Sequence, residues 1–233
     1  MESIRVSLPD GSVIEAPRGT TVRDLAARLS PRLAARAILG LVDGVAHDLS
    51  YPITADARVT IADETSPEGL DAMRHTAAHI MAQAVLRLFP STRLAIGPTI
   101  ADGFYYDFDK DGSFTPDDIA RIEAEMGRIV KEDLPVKREE MPIAEALKRL
   151  GDAGETYKLE LVQDLAAQGE QTVSFYRQGE FVDLCRGPHL PRTGMLRAFK
   201  LLNVAGAYWR GDEARPMLSR IYGTAFASKS QLD

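Results

Sequence analysis

The sequence predicts an α+β protein in two successive parts, and three observations predict it. Residues 1–63 read as two short alternating strands, a helix and two more strands, the ββαββ order of a β-grasp (ubiquitin-like) unit. A polar stretch, Asp63-Glu64-Thr65-Ser66-Pro67-Glu68-Gly69, then interrupts the chain. Beyond it, long helical periodicities precede a run of strand-like segments, which predicts helices packed on a mainly antiparallel sheet.

In the first part, Ile4-Arg5-Val6-Ser7-Leu8 alternates, Pro9-Asp10-Gly11 turns, and Ser12-Val13-Ile14-Glu15-Ala16 returns as a hairpin. Thr21 suits an N-cap, and Val22, Leu25, Ala26 and Leu29 recur at helical spacing. Strands are expected around Leu39–Val42 and Arg58–Ala62, with Asp43-Gly44 as a turn. His47, beside Asp48, reads as a solvated loop histidine. Residues 64–69 read as a linker, with Thr65 or Ser66 capping the next helix and Pro67 in its first turn.

That helix is expected from Glu68 to Leu88, before Pro90. Leu70, Met73, Ala77, Ile80, Met81, Ala84 and Leu88 gather on one side. His75 and His79 fall about 40° apart on nearly the opposite side, among Ala78, Ala82 and Leu86, so that side is small and partly apolar. Gly97-Pro98 turns, and Gly103–Phe108 has strand composition. A helix from Thr115 or Pro116 to Glu132 carries the stripe Ile119, Ile122, Met126, Ile129 and Val130. Shorter helices are expected at Ile143–Leu150 and Glu155–Leu165, and strands at 172–177, 181–185, 198–205, 207–210 and 218–226.

Composition bounds the function. The 233 residues suffice for two domains, and 45% hydrophobic with 27% charged residues is ordinary for a soluble globular protein. One cysteine permits no internal disulfide, the first residues carry no signal-peptide pattern, and no run of about 18 apolar residues exists. A cytoplasmic protein without a membrane span is expected. The net charge of −6 argues against nucleic acid as a partner, but it is uneven: from Arg186 onward there are eight Lys/Arg against three Asp/Glu. A basic C-terminal third suited to a phosphate backbone and ordinary surface variation are equally good readings. Arg186, Arg192, Lys200 and Arg210 are its candidates for phosphate contact, and each serves equally well as a solvated charge.

Three of the four histidines and the lone cysteine fall in two short motifs, His75-Thr-Ala-Ala-His79 and Cys185-Arg-Gly-Pro-His189. Histidines at i and i+4 stand one above the other on a helix, so both reach one point. Residue 76 is Thr, so the glutamate base of the metalloprotease signature H-E-x-x-H is missing. In the second motif Gly187-Pro188 makes a turn. Upstream, strand alternation sends Phe181, Asp183 and Cys185 one way and Val182 and Leu184 the other, so Asp183 and Cys185 can enter one pocket. The set suits a tetrahedral zinc or a hydrolytic site; the plainer reading is a buried cysteine and a surface loop histidine. Lys158, at a helix start, defaults to the surface, and only one of Tyr105 and Tyr106 can face a given pocket. No phosphate-binding loop or G-x-G-x-x-G occurs.

These residues carry a resemblance. His75–Ala84, Ile96-Gly-Pro, Gly103–Phe108, Val182-Asp-Leu-Cys-Arg-Gly-Pro-His189, Gly206-Ala-Tyr-Trp-Arg-Gly-Asp212 and Arg220–Ala225 resemble the N-terminal half of bacterial threonyl-tRNA synthetases, and residues 1–63 resemble its TGS domain. The resemblance spans essentially the whole chain. It implies a TGS domain over 1–63, a linker over 64–69, an editing domain over 70–226 and a tail, 227–233, leading to a catalytic core. That core, the anticodon-binding domain, ATP binding and the core zinc lie outside this chain, which reads as an excised, monomeric fragment rather than a freestanding relative.

The implied activity is proofreading: hydrolysis of serine wrongly esterified to the acceptor end of tRNA(Thr). Serine lacks one methyl of threonine, and a methylene discriminates by only about 1–3 kcal/mol, so a second, hydrolytic site raises fidelity. By resemblance His75, His79, Cys185 and His189 form the core of that site. Asp183, Lys158 and Tyr106 support it, and Arg186 contributes to substrate binding. Asp183 would recognise the seryl ammonium or hydroxyl, while Lys158 and a histidine would position water and stabilise the oxyanion. The same His/Cys set binds zinc in alanyl-tRNA editing proteins. Four protein ligands would close a zinc's coordination sphere, which favours metal-free hydrolysis, and zinc at His75, His79, Cys185 and His189 stands as the alternative. Two other readings remain: a trans-acting deacylase of another mischarged tRNA, such as an alanyl-tRNA, and a non-catalytic RNA-binding module with a structural zinc site.

Overall fold

A computed structural model describes residues 2–232. The chain forms two compact bodies, one comprising residues up to Met73 together with Gly187–Pro191, the other Arg74–Arg186 and the residues from Arg192 on.

The first body runs β1 (Ser3–Ser7), β2 (Val13–Pro17), β3 (Thr20–Thr21), α1 (Val22–Leu29), α2 (Pro31–Arg36), β4 (Leu39–Val42), β5 (Val45–Asp48), β6 (Pro52–Ile53) and β7 (Ala57–Ala62). Its main sheet has the order β2-β1-β7-β4-β5; β1 and β7 are parallel and the other neighbours antiparallel. This is the β-grasp arrangement expected from the sequence. Ile4, Val6, Ala16, Leu25, Ile53 and Val59 form a core cluster of sheet and α1 residues. Thr21 caps α1 in a reciprocal capping box with Asp24, as its position suggested.

Four elements of this body escaped the sequence reading: α2, β5 and the paired two-residue strands β3 and β6. Ser30 caps a short α2 that begins at Pro31. His47 is not in a loop: it sits on β5 opposite Gly40, with its ring stacked on Tyr51 at 3.7 Å between centroids. The strand exists because Asp43 (φ +49°) and Gly44 (φ +84°) make a two-residue turn with both central residues at positive φ, which matches hairpin twist and returns the chain along β4.

The next helix, α3 (Pro67–Leu88), starts with Ser66 Oγ accepting the Gly69 N–H at 3.0 Å. It is not amphipathic. From Ala72 to Val85 every residue except His75 is buried. Alanines at 77, 78, 82 and 84 keep its girth small, so it is covered on the histidine side as well as on the stripe side.

The second body continues with β8 (Arg93–Leu94), β9 (Thr99–Ile100), β10 (Gly103–Asp109), α4 (Pro116–Glu132), β11 (Val136–Pro142), α5 (Ile143–Asp152), α6 (Thr156–Ala167), β12 (Thr172–Gln178), β13 (Phe181–Leu184), β14 (Ala198–Tyr208), β15 (Met217–Phe226) and α7 (Lys229–Leu232). One antiparallel sheet has the order β14-β15-β10-β8, with β9 also on β10; a second has the order β11-β12-β13. The α+β expectation holds. β11 was not foreseen because its interior, Lys137-Arg138-Glu139-Glu140, is charged, as befits an edge strand. The two strands expected at 198–205 and 207–210 are one, β14, which ends at Tyr208 before a tight turn over Trp209–Gly211. On α4, Ile122, Met126 and Ile129 are buried, whereas Ile119 and Val130 are only half-buried.

The basic C-terminal third is not a free cationic face. Arg192 pairs with Asp133, Arg210 with Asp164, Arg215 with Glu160 and Arg220 with Asp107. Two of these carboxylates, Asp164 and Glu160, lie on α6. Trp209, 2% exposed, sits edge-on to Tyr157 of the same helix (5.0 Å between centroids) and donates its indole N–H to Glu160. Truncation of Trp209 to Ala is expected to lower unfolding stability by about 3–5 kcal/mol, readable as a shifted urea midpoint, because the site combines a large buried volume with a satisfied donor.

Candidate active site

α6, β10 and β13 each deliver one polar side chain to a common centre. Lys158 lies one turn into α6, Tyr106 on the inner face of β10 and Asp183 on the inner face of β13; all three are at most 4% exposed. Lys158 Nζ is 2.7 Å from Asp183 Oδ1 and donates to Tyr106 Oη at 3.1 Å. Tyr106 donates its hydroxyl proton to Asp183 Oδ2 at 2.6 Å. The lysine therefore departs from the surface default of its sequence position. The aspartate faces inward with Phe181, as the alternation required, while Val182 and Leu184 pack against the opposite apolar cluster.

The first histidine motif joins this centre. On α3, His75 and His79 have ring centroids 5.5 Å apart. His79 Nε2 lies 3.5 Å from Asp183 Oδ2, and its ring packs edge-on to Phe181. His75 Nε2 is 3.1 Å from Cys185 Sγ. Cys185 stands just beyond β13, where its N–H donates to the Ser174 carbonyl and its own carbonyl accepts the Ser174 hydroxyl. The ligand atoms of His75, His79 and Cys185 all fall within 4.8 Å of one another. Two imidazole nitrogens and a sulfur are a donor set that fits zinc.

His189 belongs to the Gly187–Pro191 segment of the first body. It is 1% exposed, not a surface histidine, and its backbone N–H donates to the Asp48 carboxylate at 3.1 Å. Of the candidate phosphate contacts, Arg186 stands exposed on the rim of the cleft, and Arg192 and Arg210 are spent on ion pairs. Lys200 is exposed on β14.

The cleft that receives these groups has a volume of about 730 Å³. His75, His79, Lys158, Asp183 and Cys185 line it, together with Gly97. The glycine is the contributor that sequence reasoning treated only as a turn. A Cβ there would come within 2.1 Å of the Tyr106 ring, so the backbone of Ile96-Gly97-Pro98 lies flat on the tyrosine. Phe108 stacks on the same ring at 5.0 Å. Tyr106 is thus held by close packing while its hydroxyl is held by Lys158 and Asp183. Tyr105, on the other face of β10, packs against Tyr222 and Arg220.

Burial sets the charge states. It pushes the His79 imidazole down to about 3, outweighing the attraction of Asp183, so His79 is neutral near pH 7. Burial also pushes the Tyr106 phenol well above its ordinary value, with Asp183 acting in the same direction, so it stays a donor. For Asp183, burial alone would raise the carboxyl; the Lys158 ammonium, with the hydrogen bonds from Lys158 and Tyr106, overcomes it and holds the group below its ordinary value. The centre contains a carboxylate, two neutral hydrogen-bonding rings and the lysine that completes the ion pair.

The two parts of the chain match families of tRNA-synthetase domains. Residues 4–63 match the TGS domain family, and residues 173–222 match the threonyl and alanyl tRNA synthetase second additional domain. Over its whole length the chain is 52% identical to a threonine–tRNA ligase of Citrifermentans bemidjiense and 53% identical to one of Pelobacter propionicus. Over 229 residues, 98% of the chain, it is 53% identical to one of Carboxydothermus hydrogenoformans. It spans 36% of the length of each of these relatives, and it is homologous to their N-terminal region.

The linkage between His79 and folding has a definite sign. Its folded value lies below the ordinary 6.5, so between about pH 6.5 and 3 the unfolded chain binds the extra proton. Stability should fall as pH is lowered through that window, by up to about 1.4 kcal/mol per pH unit from this group. Urea titrations of the wild type and of His79→Gln at several pH values measure it, and the variant should show the shallower slope. Replacing Gly97 by Ala should cost about 1–3 kcal/mol in the same assay, because the tyrosine cannot yield without breaking its bonds to Lys158 and Asp183.

Proposed function

We propose that the second body is a proofreading hydrolase that cleaves the ester of seryl-tRNA(Thr). The observation that carries the reading is the buried Lys158–Asp183 pair, held from behind by Tyr106, which lines one cleft with His75, His79 and Cys185. The homology to threonine–tRNA ligases supports the choice of substrate, and the tRNA acceptor end is the partner proposed. The domain division proposed is a TGS domain over 1–63, a linker over 64–69 and the hydrolase over 70–226; a cytoplasmic location goes with that reading.

Each group has a role its charge state supports. Asp183, ionised, accepts hydrogen bonds from the seryl ammonium or hydroxyl. Lys158 supplies positive charge where the tetrahedral oxyanion develops, while the Tyr106 hydroxyl, bonded to both Lys158 and Asp183, holds the pair in place. His75 is the group placed to take a proton from the attacking water, with Cys185 holding its ring through Sγ. Arg186 on the rim suits contact with the terminal phosphates. A threonyl ester carries an extra methyl that the packed Gly97–Tyr106 wall would have to admit. His75, His79, Cys185 and His189 are the proposed ligand group should the enzyme use zinc; the metal would supply Lewis acidity only where one of the four gave up its place. The family description of residues 173–222 names alanyl as well as threonyl synthetases, which keeps an alanyl-tRNA deacylase as the second reading; identity along the whole chain to threonine–tRNA ligases favours the first.

Single-turnover hydrolysis of seryl-tRNA(Thr), threonyl-tRNA(Thr) and alanyl-tRNA, with and without a strong zinc chelator, tests the proposal. Rapid loss of serine with threonine retained is the expected result, and Lys158→Met should slow it by about 10²–10³-fold. Equal rates for seryl and threonyl esters, or a Lys158→Met variant as fast as wild type, would overturn it.

A further inference from the structure

The motif Gly206-Ala-Tyr-Trp-Arg-Gly-Asp212 is a sequence signature that the cleft does not absorb, since none of its residues lines the cavity. Its centre carries a backbone anomaly. Three non-glycine residues among those described have positive φ, and two of them are aspartates, a residue type that takes this conformation comparatively readily. The third is Arg210, at φ +57° and ψ +20° in the connection from β14 to β15. A long side chain is strained there. Glycine, which follows at position 211 with φ +69°, is the residue such a turn favours.

From this conformation the guanidinium reaches α6. Arg210 Nη2 donates to Asp164 Oδ2 at 2.7 Å, and its Nε lies 3.6 Å from Glu160 Oε2. The same guanidinium stands over the Trp209 ring, 5.4 Å from its centroid. Glu160 and Asp164 are four residues apart, so they rise one above the other on the helix and Arg210 spans a full turn of it. Both ion pairs are partly exposed, and exposed pairs add little to stability, while the strained backbone subtracts from it. Stability gives no reason for an arginine at this position. Placement does.

Lys158, Leu161 and Leu165 line the cleft from α6 at i, i+3 and i+7. Val162 packs into the apolar cluster shared with α5 and β12, and Glu160 and Asp164 fall on the opposite side of the helix from it. The helix starts without a side-chain capping bond, so its first turn is not fixed from within. We infer that Arg210 is a positioning residue: its strained turn sets α6 against the β14–β15 strands and so holds Lys158 where the oxyanion develops. It lies off the cleft lining and acts only through the helix. The inference rests on the hydrolase reading above. Misplacing a reacting group by about 1 Å can slow a reaction about 10²-fold, so even a small shift of α6 is felt in the rate.

Arg210→Gly separates placement from stability, because glycine relieves the strained φ while removing the tie. The test is steady-state hydrolysis of seryl-tRNA(Thr) by the whole chain, with a urea midpoint for each variant. The variant should have a midpoint equal to or above wild type, a kcat about tenfold or more lower and a KM changed by less than about twofold. Arg210→Lys, which keeps a charge opposite Asp164 without the span to Glu160, should fall between. In a Lys158→Met background Arg210→Gly should slow hydrolysis no further, since its effect passes through the lysine. A wild-type kcat in Arg210→Gly would overturn the inference. So would a lost rate that goes with a lowered midpoint, or an equal loss in both backgrounds. Absence of seryl-ester hydrolysis by the wild type would instead overturn the hydrolase reading beneath it.

Discussion

The structure of the second body depends on one buried ion pair, Lys158 with Asp183. Removing an ammonium and a carboxylate from water costs several kcal/mol per ion, and their mutual attraction offsets this only when the remaining hydrogen-bonding capacity is filled. Tyr106 fills part of it, giving its proton to the carboxylate and accepting from the amine. The pair thereby ties α6, β10 and β13 to one point. Trp209, Arg210 and Arg215 hold α6 from its outer side through Glu160 and Asp164, so the helix that carries the lysine is clamped on both flanks.

The same pair decides the chemistry available. With Asp183 ionised and Lys158 beside it, the local charge is nearly balanced, and a second buried cation at His79 would be costly; burial leaves that imidazole neutral. On the function proposed above, the carboxylate would meet a cationic or hydroxylic substrate group, the ammonium a developing oxyanion, and the His75–Cys185 pair would serve proton transfer. Pre-oriented charges of this kind stabilise a transition state without reorganising during reaction.

Much of this was legible in the chain. The i, i+4 spacing of His75 and His79 places both on one helix line, and the alternation Phe181–Cys185 orients Asp183 and Cys185 alike, because both periodicities are set by local backbone geometry. The β-grasp was readable from turns and alternation. Lys158 was different. Nothing local distinguishes a lysine early in a helix from a solvated one; its burial arises from Asp183, distant in sequence, and from Tyr106 on a third element. The fit of Gly97 to the Tyr106 ring is tertiary in the same sense, although the turn itself was visible. β11 was hidden by its own charges, since an edge strand with a solvated face lacks the apolar alternation that marks interior strands. The basic balance beyond Arg186 left two readings open, because counting charges does not show that Asp107, Asp133, Glu160 and Asp164 pair with four of the arginines.

The claim that Lys158 and Asp183 act as one unit is tested most directly by a double-mutant cycle read on seryl-ester hydrolysis under single-turnover conditions, using Lys158→Met, Asp183→Leu and the pair together, each checked for folding by circular dichroism. The account predicts that either single change removes most of the rate, since each strands a buried charge, and that the double variant is no slower than the worse single one. Losses that simply multiply would mean that the two side chains work independently, contradicting the account.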